Sequence, residues 1–181
     1  MSHTAMEETR TALVVINEMQ AAGIIEQYAI GGAIAATFYI EPTATFDIDV
    51  FIPFENAPKN QLVSLKKLCD YLLPLGYKAQ GGHFLIGGWQ VQFLPADDEL
   101  YREALIQAVQ KDAGGVKTWI MQAEYLMAIA LRTGRGKDLI RLEQFVHHAA
   151  YKPLEFNQIL ERHKLVDKWQ QFQKKYIEVE K

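Results

Sequence analysis

The spacing of apolar residues predicts a mixed part over residues 1–120 and an almost wholly helical part over residues 121–181. The predicted helices of the mixed part cover 7–22, 33–38, 59–73 and 97–110, the last capped by Asp97. Its predicted strands cover 27–30, 45–53, 77–80, 83–86, 89–94 and 116–120. Four further helices are predicted over 124–131, 137–149, 153–163 and 166–176, and we expect them to pack on the mixed part.

The strand predicted over residues 45–53 carries two carboxylates on one face. Asp47 and Asp49 are two positions apart, so their side chains point the same way with Cα atoms about 6.5–7 Å apart. Like charges among apolar neighbours repel, and a divalent cation such as Mg²⁺ or Mn²⁺ removes that conflict. Such a pair can also bridge two cations. The alternative is a solvent-exposed strand face, against which Phe51 on the same face argues.

Two adjacent glycines stand between a predicted strand and a predicted helix. Glycine allows close approach of the backbone to a ligand, and a helix N-terminus offers free N–H groups to an anion. Gly31 and Gly32 are therefore candidate phosphate-binding residues, and a tight strand-to-helix turn is the alternative. The surrounding residues match neither the P-loop nor the dinucleotide-binding fingerprint.

Composition excludes few classes of function. The chain has 181 residues and a net charge of -3, so its charge does not require a nucleic-acid or membrane partner. Its one cysteine, Cys69, cannot form an intramolecular disulfide and is interpreted as a small hydrophobic residue of a helix. With a polar N-terminal segment and no apolar run long enough for a membrane span, we expect a cytoplasmic protein.

The last predicted helix carries both lysines and aromatic residues. An amphipathic helix that packs with its apolar residues inward is favoured over an RNA-facing surface. Its predicted inward residues are Leu165, Trp169, Phe172 and Tyr176.

Gly31-Gly32 followed by Asp47-Ile48-Asp49 resembles the DNA-polymerase-β-like nucleotidyltransferase superfamily. The similarity is greatest to a branch that includes AbiEii-type toxin proteins. A second block, AEYLMAIALRTGRGKDLIRL over residues 123–142, resembles the helical segment of that branch. The resemblance implies an α+β fold, with a small mixed sheet flanked by helices and a helical C-terminal part. It also implies a role in a toxin–antitoxin system.

The resemblance further implies roles for individual residues. Asp47 and Asp49 would be the catalytic, metal-binding carboxylates, and Gly31 and Gly32 would hold a triphosphate. In the second block, the implied phosphate-binding residues are Arg135 and Lys137, with Asp138 orienting Lys137 or capping the next helix. For this block, a solvated turn followed by a helix cap is the alternative.

The chain departs from the family pattern at two positions. The family places a third carboxylate on a later strand, where Gln92 stands here, and glutamine cannot accept a proton as a base. Asp97 and Asp98, just beyond that strand, are candidate substitutes. The second departure is Ala130, which stands where a lysine is common. His83, on a neighbouring predicted strand, is a candidate substrate contact.

Three hypotheses of function remain. The first is an enzyme that moves a nucleotidyl group from a nucleoside triphosphate (NTP) to a hydroxyl of RNA or protein with the help of Mg²⁺ or Mn²⁺. The second, favoured by Gln92, is a nucleotidyltransferase-like module that has lost turnover and acts through a nucleotide, a metal or a protein partner. The third is an interaction domain whose aspartates meet no metal.

Overall fold

A seven-stranded mixed sheet forms the centre of the computed structural model, which describes residues 3–42, 45–53 and 58–177. The strands are β1 (Ala29–Ile30), β2 (Asp47–Ile52), β3 (Lys78–Gln80), β4 (His83–Ile86), β5 (Trp89–Pro95), β6 (Val109–Ala113) and β7 (Val116–Ile120). Their order across the sheet is β3-β4-β5-β2-β1-β7-β6. The predicted α+β class with a small mixed sheet is confirmed.

Strand β2 lies at the centre of this sheet. It runs parallel to β5 and antiparallel to β1, and β1 runs parallel to β7. The outer strands are added as antiparallel neighbours, β3 and β4 on one side and β6 on the other. The register between β2 and β5 places Asp49 directly beside Gln92.

Helices lie on both faces of the sheet over the described residues. They are α1 (His3–Ala21), α2 (Gly32–Ala36), α3 (Pro58–Leu72), α4 (Glu99–Ile106), α5 (Ala123–Thr133), α6 (Gly136–His147), α7 (Pro153–Arg162) and α8 (Val166–Phe172), which continues as a π-helical turn, Gln173–Ile177. Helix α1 packs across β4, β5 and β7, where Ile16, Ile48 and Val91 are fully buried. None of the described helices has the length and apolar character needed to span a membrane.

The opposite face of the sheet is only partly covered. Helix α4 packs on β2, where the rings of Phe51 and Tyr101 stack with centroids 5.2 Å apart. Helix α5 packs against α2, α4 and α6, and α7 and α8 pack on α5 in turn. Beyond Phe51 this face stays open, so the N-terminal end of β2 faces a gap between the sheet and the C-terminal helices.

The C-terminal helix confirms its predicted orientation. Leu165, Trp169 and Phe172 are buried, Tyr176 is partly buried, and the rings of Phe156 and Trp169 meet edge to face. These side chains pack α8 against α7, so the apolar face of the helix is buried, as its spacing predicts. Cys69 is partly buried on α3, consistent with a packing role.

The prediction for residues 97–110 is wrong in two respects. The helix is capped by Asp98, whose side chain accepts a hydrogen bond from Tyr101 N, and not by Asp97. The helix ends at Ile106, and residues 109–113 form the edge strand β6. This strand follows from the hairpin with β7, whose turn is held by a 2.8 Å hydrogen bond from Gly115 N to Asp112 Oδ1.

Candidate functional site

Asp47 and Asp49 lie on the open face of β2. Their neighbours Ile48 and Val50 point to the other face and are fully buried, as the alternation along the strand predicts. Both carboxylates line a cavity of about 600 Å³ between the sheet and the helices α5 and α6. Thr45, just before the strand, donates a hydrogen bond to Oδ1 of Asp47 at 2.5 Å.

Gly32 allows the backbone of α2 to approach the Asp49 carboxylate. Its φ is +59°, and a Cβ atom at this position would lie 2.1 Å from Asp49 Oδ2. Gly31 has a different constraint, because a Cβ there would lie 2.5 Å from Cε2 of Phe51. Of the two predicted phosphate-binding glycines, Gly32 lines the cavity, whereas Gly31 is not among the described lining residues.

Asp49 is a carboxylate in an unfavourable environment. Burial, and then the charge of Asp47, raise its pKa above the ordinary value, and the cations Lys137, Arg135 and Arg141 oppose that shift. None of the described residues donates a hydrogen bond to its side chain. A bound cation would stabilise the ionised carboxylate, to which none of the described residues donates a hydrogen bond.

The facing wall of the cavity is built from the start of α6. Arg135 is the N-cap residue of this helix, and its Nε donates a hydrogen bond to Oδ2 of Asp138 at 2.6 Å. The Asp138 side chain is only 4% exposed and also lies 3.5 Å from Nη1 of Arg141. Asp138 thus contacts two arginines and not Lys137, which lies exposed at the cavity wall.

Arg141 is a cavity residue that the sequence analysis missed. Its side chain is 13% exposed, and its Nε is buried without a hydrogen-bond partner among the described residues. Burial lowers its pKa, whereas the charges of Asp138 and then Asp49 oppose that shift. The signal in the sequence was the spacing of Asp138 and Arg141, which lie three residues apart and hence on the same side of a helix.

The predicted accessory residues fall into two groups. Gln92 is exposed, lines the cavity and pairs with Asp49 across the two parallel strands. Asp97 lines the same cavity but comes after Pro95, at the end of β5. The β2 partner of Pro95 is Ile52, which is roughly 10 Å from Asp49 along the strand. The position beside Asp49 therefore has an amide and no carboxylate. His83 lies on β4 and is not among the described residues that line the cavity.

Part of the cavity lining is apolar or aromatic. This part is formed by Phe51, Leu94, Tyr101, Met121, Leu126, Ile129 and Ala130. The guanidinium of Arg132 lies 4.7 Å from the centre of the Tyr101 ring and is ion-paired with Asp98. A ligand with a charged end and a flat apolar end would match this division.

The donor set fits a cation that arrives together with phosphates. Among the described residues, no group of three or more His, Cys, Asp or Glu side chains stands close enough to hold a metal. Mg²⁺ is commonly bound by one or two carboxylates, with water and substrate phosphates completing its shell. Asp47 and Asp49 meet that requirement, and among the described residues no donor to the partly buried Asp49 carboxylate would compete with a metal.

Comparison with known proteins decides the fold. No protein-family model matches the chain, and no curated protein matches it in sequence. Among solved structures, an antigenic nucleotidyltransferase-like protein from Paracoccidioides brasiliensis superposes with a TM-score of 0.56 at 16% identity, over 90% of this chain and 91% of that one. The fold is nucleotidyltransferase-like.

A second solved structure agrees with this assignment. The antibiotic-resistance factor ANT(2'')-Ia superposes with a TM-score of 0.52 at 14% identity, over 87% of this chain and 92% of that one. At such identities the likeness concerns the fold alone, and the AbiEii-like branch stays a prediction. The nucleotidyltransferase-like fold includes both the sheet and the C-terminal helices of this chain, since the superpositions extend over most of its length.

Proposed function

We propose that the protein is a metal-dependent nucleotidyltransferase that moves a nucleoside monophosphate from an NTP to a hydroxyl of RNA or protein. The observation that carries this proposal is the carboxylate of Asp49. It is partly buried beside Asp47 without a hydrogen-bond donor among the described residues, and it faces cationic side chains across a cavity. The cavity volume of about 600 Å³ is within the range of small-molecule sites.

Asp47 and Asp49 would hold the divalent cation, Mg²⁺ or Mn²⁺. Such an ion neutralises phosphate charge and polarises phosphoryl oxygens. Thr45, by its hydrogen bond to Oδ1 of Asp47, leaves the second oxygen of that carboxylate available. Gly32 keeps the helix backbone close to the Asp49 carboxylate, so that a side chain does not fill the space beside it.

The remaining residues would position the triphosphate. Arg135 and Lys137 lie on the wall facing the carboxylates, where they are suited to neutralise the phosphates and the pyrophosphate that leaves. In the reaction, an acceptor oxygen bonds to the α-phosphorus while the bond to pyrophosphate breaks, and the hydroxyl proton passes to solvent. Catalysis of phosphoryl transfer depends largely on such positioning and charge stabilisation.

A second candidate function is nucleotide binding without turnover. Gln92 favours it, because this residue occupies the position beside Asp49 and its amide cannot take a proton from the acceptor. The two functions share the metal and nucleotide site and differ only in the final transfer. Separate measurements of binding and of transfer therefore distinguish them.

The first test is calorimetric titration of ATP, GTP, CTP and UTP into the protein with Mg²⁺. The same titrations on the double variant Asp47→Ala/Asp49→Ala measure the contribution of the pair. Asp70→Ala, which removes an exposed carboxylate on α3, is the matched control. Binding that requires both the metal and the two aspartates supports the site, and the absence of binding for every nucleotide contradicts it.

The second test follows transfer. The protein is incubated with the NTP that binds, labelled at the α-phosphate, together with total RNA or with a protein extract. Label that becomes covalently attached to either acceptor, and is lost with the double variant, supports transfer. Tight binding without labelling of either acceptor favours the second candidate function.

A further inference from the structure

The charges around Asp47 and Asp49 are unusual for a site that holds two metal ions. Two-metal sites place their cations about 3.5–4 Å apart and need acidic ligands for both. Here the residue beside Asp49 on β5 is the neutral Gln92. Asp97 comes after Pro95, whose partner on β2, Ile52, is roughly 10 Å from Asp49 along that strand. The positive charge of Arg141, on the facing wall of the cavity, interacts electrostatically with the carboxylate of Asp49.

Arg141 has only weak hydrogen bonding to the other described residues. Asp138, its ion-pair partner, accepts a 2.6 Å hydrogen bond from Arg135, whereas Nη1 of Arg141 lies at 3.5 Å from the same carboxylate. The longer distance is at the outer limit for a hydrogen bond. With its Nε unpartnered as well, Arg141 retains most of its five N–H donors for another anion.

We propose that this site takes an NTP together with a single divalent cation, and that Arg141 supplies the second positive charge by donating hydrogen bonds to the phosphates. The inference rests on the proposed function and deepens it. A planar guanidinium is suited to this role, since it binds two phosphate oxygens at once and stays charged.

The proposal gives Arg141 opposite effects on two ligands. A cation bound alone at Asp47 and Asp49 is repelled by the nearby guanidinium, so Arg141 weakens the binding of free metal. A triphosphate is attracted by the same charge, so Arg141 strengthens the binding of nucleotide with metal. A residue that merely maintained the structure of the cavity would affect both ligands in the same direction.

The test compares the wild-type protein with Arg141→Met, which removes the charge and keeps much of the side-chain length, and with Arg141→Lys. Arg162→Met is the control, since Arg162 is an ion-paired arginine outside the cavity. Electron paramagnetic resonance measures the binding of Mn²⁺ alone. Calorimetry and equilibrium dialysis with the α,β-methylene analogue of the tightest-binding NTP give its affinity and the number of Mn²⁺ ions per bound nucleotide.

We expect one Mn²⁺ per bound nucleotide in the wild type. Arg141→Met should bind the nucleotide about tenfold or more weakly, the loss expected for a hydrogen-bonded charge, and should bind Mn²⁺ alone more tightly. Arg141→Lys should recover part of the nucleotide affinity, and Arg162→Met should match the wild type in both measurements.

Three outcomes would overturn this inference and leave the proposed function standing. They are two Mn²⁺ ions per bound nucleotide, an unchanged nucleotide affinity in Arg141→Met, and a loss of affinity for both nucleotide and free Mn²⁺ in that variant. If the wild type binds no nucleotide in the presence of Mn²⁺, the proposed function fails and the inference fails with it.

Discussion

Two partly buried carboxylates, Glu103 and Asp49, have opposite surroundings in this protein. Glu103, on α4, accepts hydrogen bonds from Tyr125 Oη at 2.8 Å and from Arg162 Nη2 at 2.5 Å, and its Oε2 lies 2.6 Å from His163 Nε2. Burial on its own would raise the pKa of Glu103, but these hydrogen bonds outweigh it and the pKa is lowered. Glu103 thereby attaches α4 to α5 and to the end of α7.

Asp49 has the reverse balance. Burial, and then the neighbouring Asp47, raise its pKa, and no hydrogen bond from the described residues compensates. Ionised Glu103 therefore stabilises the fold, whereas ionised Asp49 lowers the free energy of unfolding. Groups of the second kind concentrate at functional sites, where a ligand supplies the missing interactions. The following predictions test that difference.

The largest effect is expected from Asp49→Asn. Because the variant loses a charged metal ligand, the affinity for an NTP with Mg²⁺ should fall on the order of 100-fold. The free energy of unfolding without ligand should stay the same or rise, since the charge that conflicts with Asp47 is gone. Calorimetry and urea denaturation measure the two quantities, and a loss of stability would contradict the comparison.

Gly32→Ala should damage the same site through sterics. Its Cβ would meet Asp49 Oδ2 at 2.1 Å, and the positive φ adds backbone strain. We expect a loss of about 2–4 kcal/mol in the free energy of unfolding. Gly23→Ala is the matched control, because Gly23 has φ +68° and no atom within 4 Å of its added Cβ. Equal losses in the two variants would show that backbone strain alone accounts for the effect.

Glu103→Gln should reverse the pattern of Asp49→Asn. The variant keeps the shape of the side chain but loses the charge that Arg162 pairs with, so the free energy of unfolding should fall by about 1–2 kcal/mol. The affinity for NTP with Mg²⁺ should not change, because Glu103 lies outside the cavity. A change in nucleotide affinity without a change in stability would contradict the structural role of Glu103.

The smallest effect is the pH dependence of these differences in stability. The pKa of Glu103 is lowered on folding, so its contribution is present above the ordinary value of 4.5 and is lost as the pH falls through the lowered pKa. The pKa of Asp49 is raised, so its ionisation destabilises the fold above that pKa, and this cost disappears as the pH falls to the ordinary 3.8.

As the pH falls, the free energy of unfolding of both variants should therefore approach that of the wild type. Glu103→Gln should start below the wild-type value, and Asp49→Asn should start at or above it. Denaturation curves between pH 3 and pH 7 measure this convergence. Approach from the same side for both variants would show that the two carboxylates do not differ as described.

The local patterns of the sequence predicted much of the site. Alternation along β2 was enough to place Asp47 and Asp49 on one face, because a strand's period of two depends on nothing distant. The order of the Gly-Gly pair, the aspartates and the second block indicated the fold through resemblance. The inward face of α8 likewise followed from helical spacing.

What the sequence did not reveal depends on distant contacts. Residues 109–113 carry two charges and became a strand only through pairing with β7, so the local pattern favoured a longer helix. Arg141 became a cavity residue through the packing of α6 beside α5, which brings it towards Asp49. Asp97 and Asp98 are adjacent and equally suited by residue type to cap a helix, so the local pattern could not decide between them.

The most direct measurement is a crystal structure of the protein with Mn²⁺ and a non-hydrolysable NTP analogue, with the metal located by its anomalous scattering. The account predicts a metal signal between the carboxylates of Asp47 and Asp49, with the triphosphate between them and the start of α6. A nucleotide bound elsewhere, or bound in the cavity with no metal at the two aspartates, would contradict the central claim.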